Sequence, residues 1–185
     1  MDIIRTDDVE DTAYRCRFNA RNGHEELIIF IPSKICALES SVDPINKDYV
    51  KTRGIKCINL GNAGGCIVAF PGNVELGHFS KDLDNTFIER LTEAVLRVLE
   101  NKGLYVTKDN NDLLINGVYK VFSTSRAIYN KSIAFSAVHI SINCDTDIVR
   151  KICTKPMVKI PKGLSEYGIT TEEVLALILE VFKNS

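Results

Sequence analysis

The chain has 185 residues, of which 45% are hydrophobic and 25% charged, and its formal net charge is -1 at pH 7. This balance predicts a single globular domain over residues 1–185 and argues against disorder and against a nucleic-acid-binding face, which needs clustered Lys and Arg. No apolar run approaches the roughly 20 residues that cross a bilayer, so no membrane contact is expected. The six cysteines form no C-x-x-C pair and the three histidines are far apart, so the sequence predicts a cytoplasmic protein without a metal site.

The first part of the chain predicts a hairpin and then a short helix. Residues 12–19 alternate polar and apolar side chains, Asn22-Gly23 is typical of a tight turn, and residues 26–32 carry an apolar run. Asp43-Pro44 is typical of a helix start, because Asp caps and Pro fits the first helical position. This helix is expected to end at Gly54.

A strand predicted at residues 55–60 leads into the glycine-dense segment Gly61-Asn62-Ala63-Gly64-Gly65. Without Cβ atoms, Gly64 and Gly65 can adopt left-handed backbone angles and expose main-chain N–H groups to an anion. The segment matches neither the G-x-x-x-x-G-K-[ST] phosphate loop nor the G-x-G-x-x-G fingerprint, so a simple turn is the alternative. Short strands are then predicted on both sides of Pro71-Gly72-Asn73.

The second half predicts a long helix, several strands and two further helices. Apolar residues recur with the helical period between residues 83 and 102, and Gly103 ends that pattern. Strands are predicted at 104–107, 112–115, 118–123 and 133–143. A short helix is predicted at 145–152, and Thr170-Thr171-Glu172-Glu173 is a capping box that begins a C-terminal helix. Hairpin strands interrupted by a few helices predict an α+β fold with a largely antiparallel sheet.

Three stretches, taken in order, resemble the catalytic domain of lipoate-protein ligases, biotin-protein ligases and octanoyltransferases. The first joins residues 45–56 to the glycine segment, Cys66-Ile67 and Pro71-Gly72-Asn73; the second is residues 111–123; the third is residues 169–182, which begins Ile-Thr-Thr-Glu. Their order along the chain is more specific than any one of them. The resemblance implies a fold like that of class II aminoacyl-tRNA synthetases, with a largely antiparallel mixed sheet flanked by helices.

The resemblance also implies attachment of lipoate or octanoate to a lysine of a lipoyl carrier domain, in an acyltransferase complex or a glycine-cleavage-type carrier protein. The ligases activate the acid with ATP and Mg²⁺, and Lys120 stands where the family has its catalytic lysine. Glycine-loop N–H groups and a fixed ammonium would stabilise the charge that develops during this activation. The substrate-binding residues implied are Gly64, Gly65, Val68, Phe70, Asn111, Asp112, Val121 and Phe122. The four apolar ones would line an acyl slot, with strand core as their alternative role.

Departures from the family pattern leave other hypotheses open. Asn59 and Leu60 stand where the family has paired arginines, and neither side chain can replace a bidentate Arg–phosphate contact, so ATP use is open. An ATP-independent octanoyltransferase would use Cys153 as nucleophile, since Arg150 and Lys151 beside it favour the thiolate. The third hypothesis is a non-catalytic binding or regulatory protein with this fold. A second subunit that supplies the missing contacts is also open.

Overall fold

The computed structural model describes residues 1–39, 44–59, 65–84, 86–129 and 131–184. The described strands are β1 (Asp2–Thr6), β2 (Glu26–Phe30), β3 (Cys36–Glu39), β4 (Lys56–Asn59), β5 (Ile67–Ala69), β6 (Val74–Ser80), β7 (Val106–Asp109), β8 (Asp112–Ile115), β9 (Tyr119–Tyr129), β10 (Ile133–Ile140) and β11 (Ile160–Pro161). The described helices are α1 (Val9–Asn22), α2 (Lys47–Thr52), α3 (Thr86–Asn101), α4 (Thr146–Ile152) and α5 (Thr171–Lys183). A short 3₁₀ helix covers Leu164–Tyr167.

These strands form two sheets. The large sheet has the spatial order β1-β2-β6-β10-β9-β8-β7, with β11 paired to β9, and the small sheet has the order β4-β3-β5. In the large sheet β1–β2 and β9–β11 are parallel and the other pairs are antiparallel. The predicted α+β fold with a largely antiparallel mixed sheet is therefore confirmed.

Helices α3 and α5 cover one face of the large sheet. The predicted apolar stripe of α3 is confirmed, because Phe87, Leu91 and Val95 are buried in the main hydrophobic core. The predicted capping box of α5 is present: the backbone N–H of Glu173 donates to Thr170 Oγ1 over 3.2 Å, and the backbone N–H of Thr170 donates to the Glu173 carboxylate over 2.8 Å. Local sequence patterns therefore predict both helices that cover this core.

The predicted N-terminal hairpin is wrong, because residues 9–22 form α1. Asp8 caps this helix by accepting from the backbone N–H of Glu10, and the buried residues Ala13 and Cys16 follow helical spacing. Gly23, expected in a hairpin turn, instead ends the helix with φ 64°. The polar–apolar alternation of residues 12–19 is thus incidental to a helix that buries one narrow stripe.

The boundaries of other elements differ from the predicted ones. Asn46 caps α2, and its side chain accepts from the backbone N–H of Tyr49 over 3.1 Å; the predicted cap Asp43 lies outside the described residues. Strand β9 continues to Tyr129, well past the predicted end at residue 123. The predicted turn at Asn116-Gly117 is confirmed by positive φ angles of 54° and 69°.

Asn73 fixes the corner between β5 and β6. Its side-chain oxygen accepts from the backbone N–H groups of Ile142 over 3.0 Å and Asn143 over 2.8 Å, just beyond β10. The hydroxyl of Thr171 donates to the carbonyl of Gly72 over 2.7 Å, which attaches the same corner to the start of α5. The Pro71-Gly72-Asn73 turn therefore connects three separate parts of the chain.

His78 on β6 is a buried histidine whose charge state links stability to pH. Its ring lies beside Phe87, with 4.7 Å between the centroids, and Nε2 has no hydrogen-bond partner among the described residues. Burial lowers the pKa of His78 from 6.5 to about 4. The unfolded chain therefore binds this proton near the ordinary pKa, whereas the folded chain binds it only in stronger acid.

Replacing His78 by leucine is expected to flatten the acid limb of the stability curve. In the parent, the contribution of neutral His78 to the free energy of unfolding is complete above pH 6.5 and is lost as the pH falls towards about 4. The total loss is about 3 kcal/mol. Urea unfolding of the parent and of His78→Leu between pH 4 and pH 7 measures how the free energy of unfolding of each protein changes with pH. His24→Gln, at an exposed histidine, should keep the parent's pH dependence; an equal slope in His78→Leu would contradict the assignment.

In the described part of the chain, no helix combines the length and the apolar character needed to cross a membrane.

Candidate functional site

Polar side chains form a row across one face of the large sheet. Asp112 on β8 pairs with Ser123 on β9, Ser123 with His139 on β10, and His139 with Glu75 on β6. Residues directly opposite each other on neighbouring strands project to the same face. The row therefore brings together four polar residues from distant parts of the chain.

A groove lies over this row and consists of two adjoining cavities of about 380 and 490 Å³. These volumes fall in the range of small-molecule sites. The residues that line both cavities are Gly65, Cys66, Ile67, Asp112, Lys120, Ser123, His139 and Lys159. The small sheet supplies the facing wall through β5, where Val68 adds to the first cavity. The groove thus lies between the two sheets.

Two lysines converge on one carboxylate at the edge of the groove. The Nζ of Lys120 lies 3.1 Å from Oδ1 of Asp112, and the Nζ of Lys159 lies 2.6 Å from Oδ2. Lys159 also contacts Asp109 over 2.8 Å. Partial burial opposes the charged form of Lys159, but the hydrogen bonds that its ammonium donates to Asp109 and Asp112, together with their negative charges, outweigh burial and raise its pKa. The groove therefore contains a fixed positive charge whose partner carboxylate is itself largely buried, with 13% of its side chain exposed.

A β-bulge explains how Lys120 reaches the groove. Leu113 pairs with Phe122 and Leu114 pairs with Lys120, so Val121 is an extra residue in β9. Such a bulge interrupts the alternation of a strand and re-aims a side chain. Lys120 and Ser123, three positions apart, consequently both line the groove.

Most of the predicted polar site residues lie together. Gly65, Asp112 and Lys120 line both cavities and Asn111 lines the second. The carbonyl of Asn111 also accepts from the backbone N–H of Thr124 over 2.8 Å, which extends the pairing of β8 and β9 at the end away from their turn. Gly64 lies outside the described residues. The site brought together by the fold therefore centres on Lys120 and Asp112.

The predicted apolar residues divide between groove and core. Val68 lines the first cavity. Phe70 packs in a cluster with Ile45 and lines neither cavity, and Val121 and Phe122 have no exposed surface and belong to the main core. Because the bulge interrupts the alternation at this point, both of these consecutive side chains are buried. Val121 and Phe122 therefore lie in the strand core, the role that the sequence offered as the alternative, and Phe70 is a core residue just after β5.

Cys153 lines the first cavity together with Lys120 and Lys155. It ends α4, where its backbone N–H donates to the carbonyl of Val149 over 2.8 Å. Arg150, predicted to favour its thiolate, lies 3.6 Å from Asp147 instead. Cys144 lines the same cavity, and burial raises the pKa of its thiol to about 11, so Cys144 is a neutral thiol at physiological pH.

His139 and Glu75 were not predicted as site residues. Nδ1 of His139 lies 2.7 Å from Oε1 of Glu75, and the two side chains are 13% and 7% exposed. They are 64 positions apart, so nothing in the local sequence joins them. Among the residues that the structure describes, no group of three or more His, Cys, Asp and Glu side chains is arranged to hold a metal ion.

No protein-family model matches the chain, and no curated protein matches it significantly in sequence. Solved structures do match. LipL1 of P. falciparum in complex with lipoate is 15% identical with a TM-score of 0.79, and the match covers 99% of this chain and 61% of that one. A lipoate-protein ligase A bound with ATP is 15% identical with a TM-score of 0.77, over 98% of this chain and 83% of that one. A bi-partite lipoate-protein ligase from Thermoplasma acidophilum, reported with its E2 lipoyl domain, is 16% identical with a TM-score of 0.74, over 99% and 81%.

Biotin protein ligases with bound biotin, from Aquifex aeolicus and Leishmania major, match with TM-scores of 0.57 and 0.55. The mixed sheet and its flanking helices are thus a catalytic-domain fold of the class II synthetase-like type. More particularly, the chain has the fold of the lipoate- and biotin-protein ligase catalytic domain, as the resemblance in its sequence predicts. It spans 61% of the length of LipL1.

Proposed function

We propose that this protein transfers a lipoyl or octanoyl group to a lysine of a lipoyl carrier domain. The observation that carries the proposal is Lys120, which the sequence resemblance singles out and which lies in the groove, 3.1 Å from Asp112. The neighbours with the same fold include proteins in complex with lipoate and a ligase reported with its E2 lipoyl domain. These neighbours support lipoate as substrate and a carrier domain as partner.

The chemistry of the groove suits acyl transfer. An ammonium fixed by a buried carboxylate is preorganised to stabilise the oxyanion that forms when an acyl carbonyl is attacked. Ile67, Val68 and Met157 give the first cavity an apolar lining. Each acyl methylene buried against such a lining contributes about 0.8 kcal/mol to binding.

Activation by ATP is one route to the acyl donor. A structural neighbour is bound with ATP. In this chain Lys159 supplies a second ammonium beside Lys120, 2.6 Å from the shared Asp112. Lysine acts on phosphate as a point charge and lacks the bidentate geometry of arginine, so the pair offers charge neutralisation to a nucleotide in place of the missing arginines.

Transfer from an acylated carrier is the second route, and the position of Cys153 favours it. Cys153 lies in the same cavity as Lys120, which is the arrangement that a thioester intermediate requires. The two routes differ in their need for ATP and in their need for this thiol.

Incubating the protein with lipoate, ATP, Mg²⁺ and a lipoyl domain, and separately with an octanoylated donor carrier and the same lipoyl domain without ATP, tests both routes. We expect the lysine of the lipoyl domain to gain one acyl group, detected by intact mass. ATP-dependent transfer that survives in Cys153→Ser identifies a ligase, whereas ATP-independent transfer lost in Cys153→Ser identifies a transferase. Cys57→Ser, at an exposed cysteine on β4, is the matched control. A lipoyl domain that stays unmodified in both reactions would favour the non-catalytic hypothesis.

A further inference from the structure

The pair formed by His139 and Glu75 lies in the floor of the groove, two positions along the polar row from Asp112. Both strands that carry it, β10 and β6, are interior strands of the large sheet, and the two residues are direct register partners. The 2.7 Å contact between Nδ1 of His139 and Oε1 of Glu75 joins two side chains that are almost completely buried. The sheet therefore holds the imidazole in one orientation.

The contact with Glu75 decides which ring nitrogen faces the groove. A carboxylate accepts hydrogen bonds, so Nδ1 of His139 carries the proton and Nε2 carries the lone pair in the neutral ring. His139 lines both cavities. Because Glu75 occupies Nδ1, Nε2 is the ring nitrogen that remains for a molecule bound in the groove.

His139 lies two strands away from Asp112, the carboxylate that Lys120 contacts. Strands are about 4.8 Å apart, so Asp112 and His139 lie about 10 Å apart along the row, with Ser123 between them. Lys120 contacts Asp112 at one end of the row, and His139 contacts Glu75 at the other end. An acyl carbonyl held beside the Lys120 ammonium therefore leaves room for an attacking amine next to Nε2.

We propose that His139 is the general base for the attacking carrier lysine and that Glu75 is its positioning residue. This inference rests on the proposed function. The lysine nitrogen forms a bond to the acyl carbon of an acyl-adenylate, and the bond between that carbon and the phosphate oxygen breaks, so that AMP leaves with the electron pair. The proton lost from nitrogen passes to Nε2 of His139 and then to solvent, while the Glu75 carboxylate stabilises the imidazolium.

Supplying lipoyl-AMP directly, with two different acceptors, tests this role. The lysine of a lipoyl domain is an ammonium at neutral pH and must lose a proton before it can attack, whereas hydroxylamine is mostly unprotonated at this pH and its attack depends much less on a base. His139→Gln is expected to reduce lipoylation of the domain by at least about 100-fold and to change hydroxamate formation less than about 2-fold. Glu75→Gln keeps an acceptor for Nδ1 but removes the charge, and it is expected to reduce lipoylation about 10-fold.

His78→Leu is the matched control, because His78 lies on the same sheet and lines neither cavity; it should retain the parent's rate with both acceptors at pH 8 or above. Lipoylation by His139→Gln within about 3-fold of the parent would overturn the proposal. Equal losses with both acceptors would also overturn it, because they indicate a structural role. A parent protein that modifies neither acceptor from lipoyl-AMP would instead refute the acyl-adenylate route of the proposed function, on which this inference rests.

Discussion

Replacing Lys120 by alanine is expected to reduce carrier acylation by about 100- to 1000-fold, the usual cost of removing one preorganised donor to an oxyanion. The ammonium lies in the groove and is held by Asp112 at 3.1 Å, whereas the second ammonium there, that of Lys159, is held on the other oxygen of Asp112 and by Asp109. Single-turnover transfer from lipoyl-AMP to a lipoyl domain measures the effect without dependence on the activation step.

The same substitution should leave the fold intact. The Lys120 side chain is 34% exposed, and an ion pair at this exposure contributes less than about 1 kcal/mol to stability. Lys108→Ala is the matched control, since Lys108 lies two strands away on β7, has an exposed side chain and lines neither cavity. We expect parental activity from Lys108→Ala. A Lys120→Ala variant as active as the parent would remove Lys120 from the site.

The second large effect is expected for stability when Gly163 is replaced by alanine. A Cβ at Gly163 would lie 2.6 Å from the carbonyl oxygen of Ile142 and 3.1 Å from Cys144 N. Backbone hydrogen bonds hold the two segments together, since the N–H of Leu164 donates to Ser141 over 2.8 Å and that of Ser165 to Ile142 over 2.9 Å. Backbone atoms cannot turn aside as a side chain can, so we expect the free energy of unfolding to fall by about 3 kcal/mol.

Urea unfolding measures the loss of free energy of unfolding in Gly163→Ala and in Gly117→Ala. The comparison separates the steric cost at Gly163 from the general cost of replacing a glycine by alanine. Gly117 has φ 69° and nothing near its Cβ position, so alanine there costs about 1 kcal/mol through backbone strain alone. Gly163 has an ordinary φ of -92°, and its whole cost is steric. If Gly163→Ala is no less stable than Gly117→Ala, the two backbone segments are farther apart than described.

The sequence predicts the parts of the fold that depend on neighbouring residues. The capping box of α5 and the apolar stripe of α3 are local signals, and both elements form as expected. The region of α1 is different, because its buried face is narrow and residues 12–19 also alternate in the period of a strand. The decision between helix and hairpin is made there by packing against β2 and β6, which the sequence does not display.

The candidate site was predicted to the extent that it resembles a known pattern. Lys120 and Asp112 belong to a recognisable stretch of sequence, and they do lie together in the groove. The pair of His139 and Glu75 depends on the register between β10 and β6, which only the assembled sheet reveals. The bulge at Val121 likewise changes which side chains of β9 are buried, and the regular alternation of a strand could not indicate it.

The corner at Asn73 has a consequence for the shape of the groove. β5 belongs to the small sheet and β6 to the large one, so this short connection joins the two walls. Asn73 has no exposed surface and is bound to two backbone amides beyond β10. The two sheets that form the walls of the groove are therefore attached to each other at this corner, and hydrogen bonds fix their relative position there.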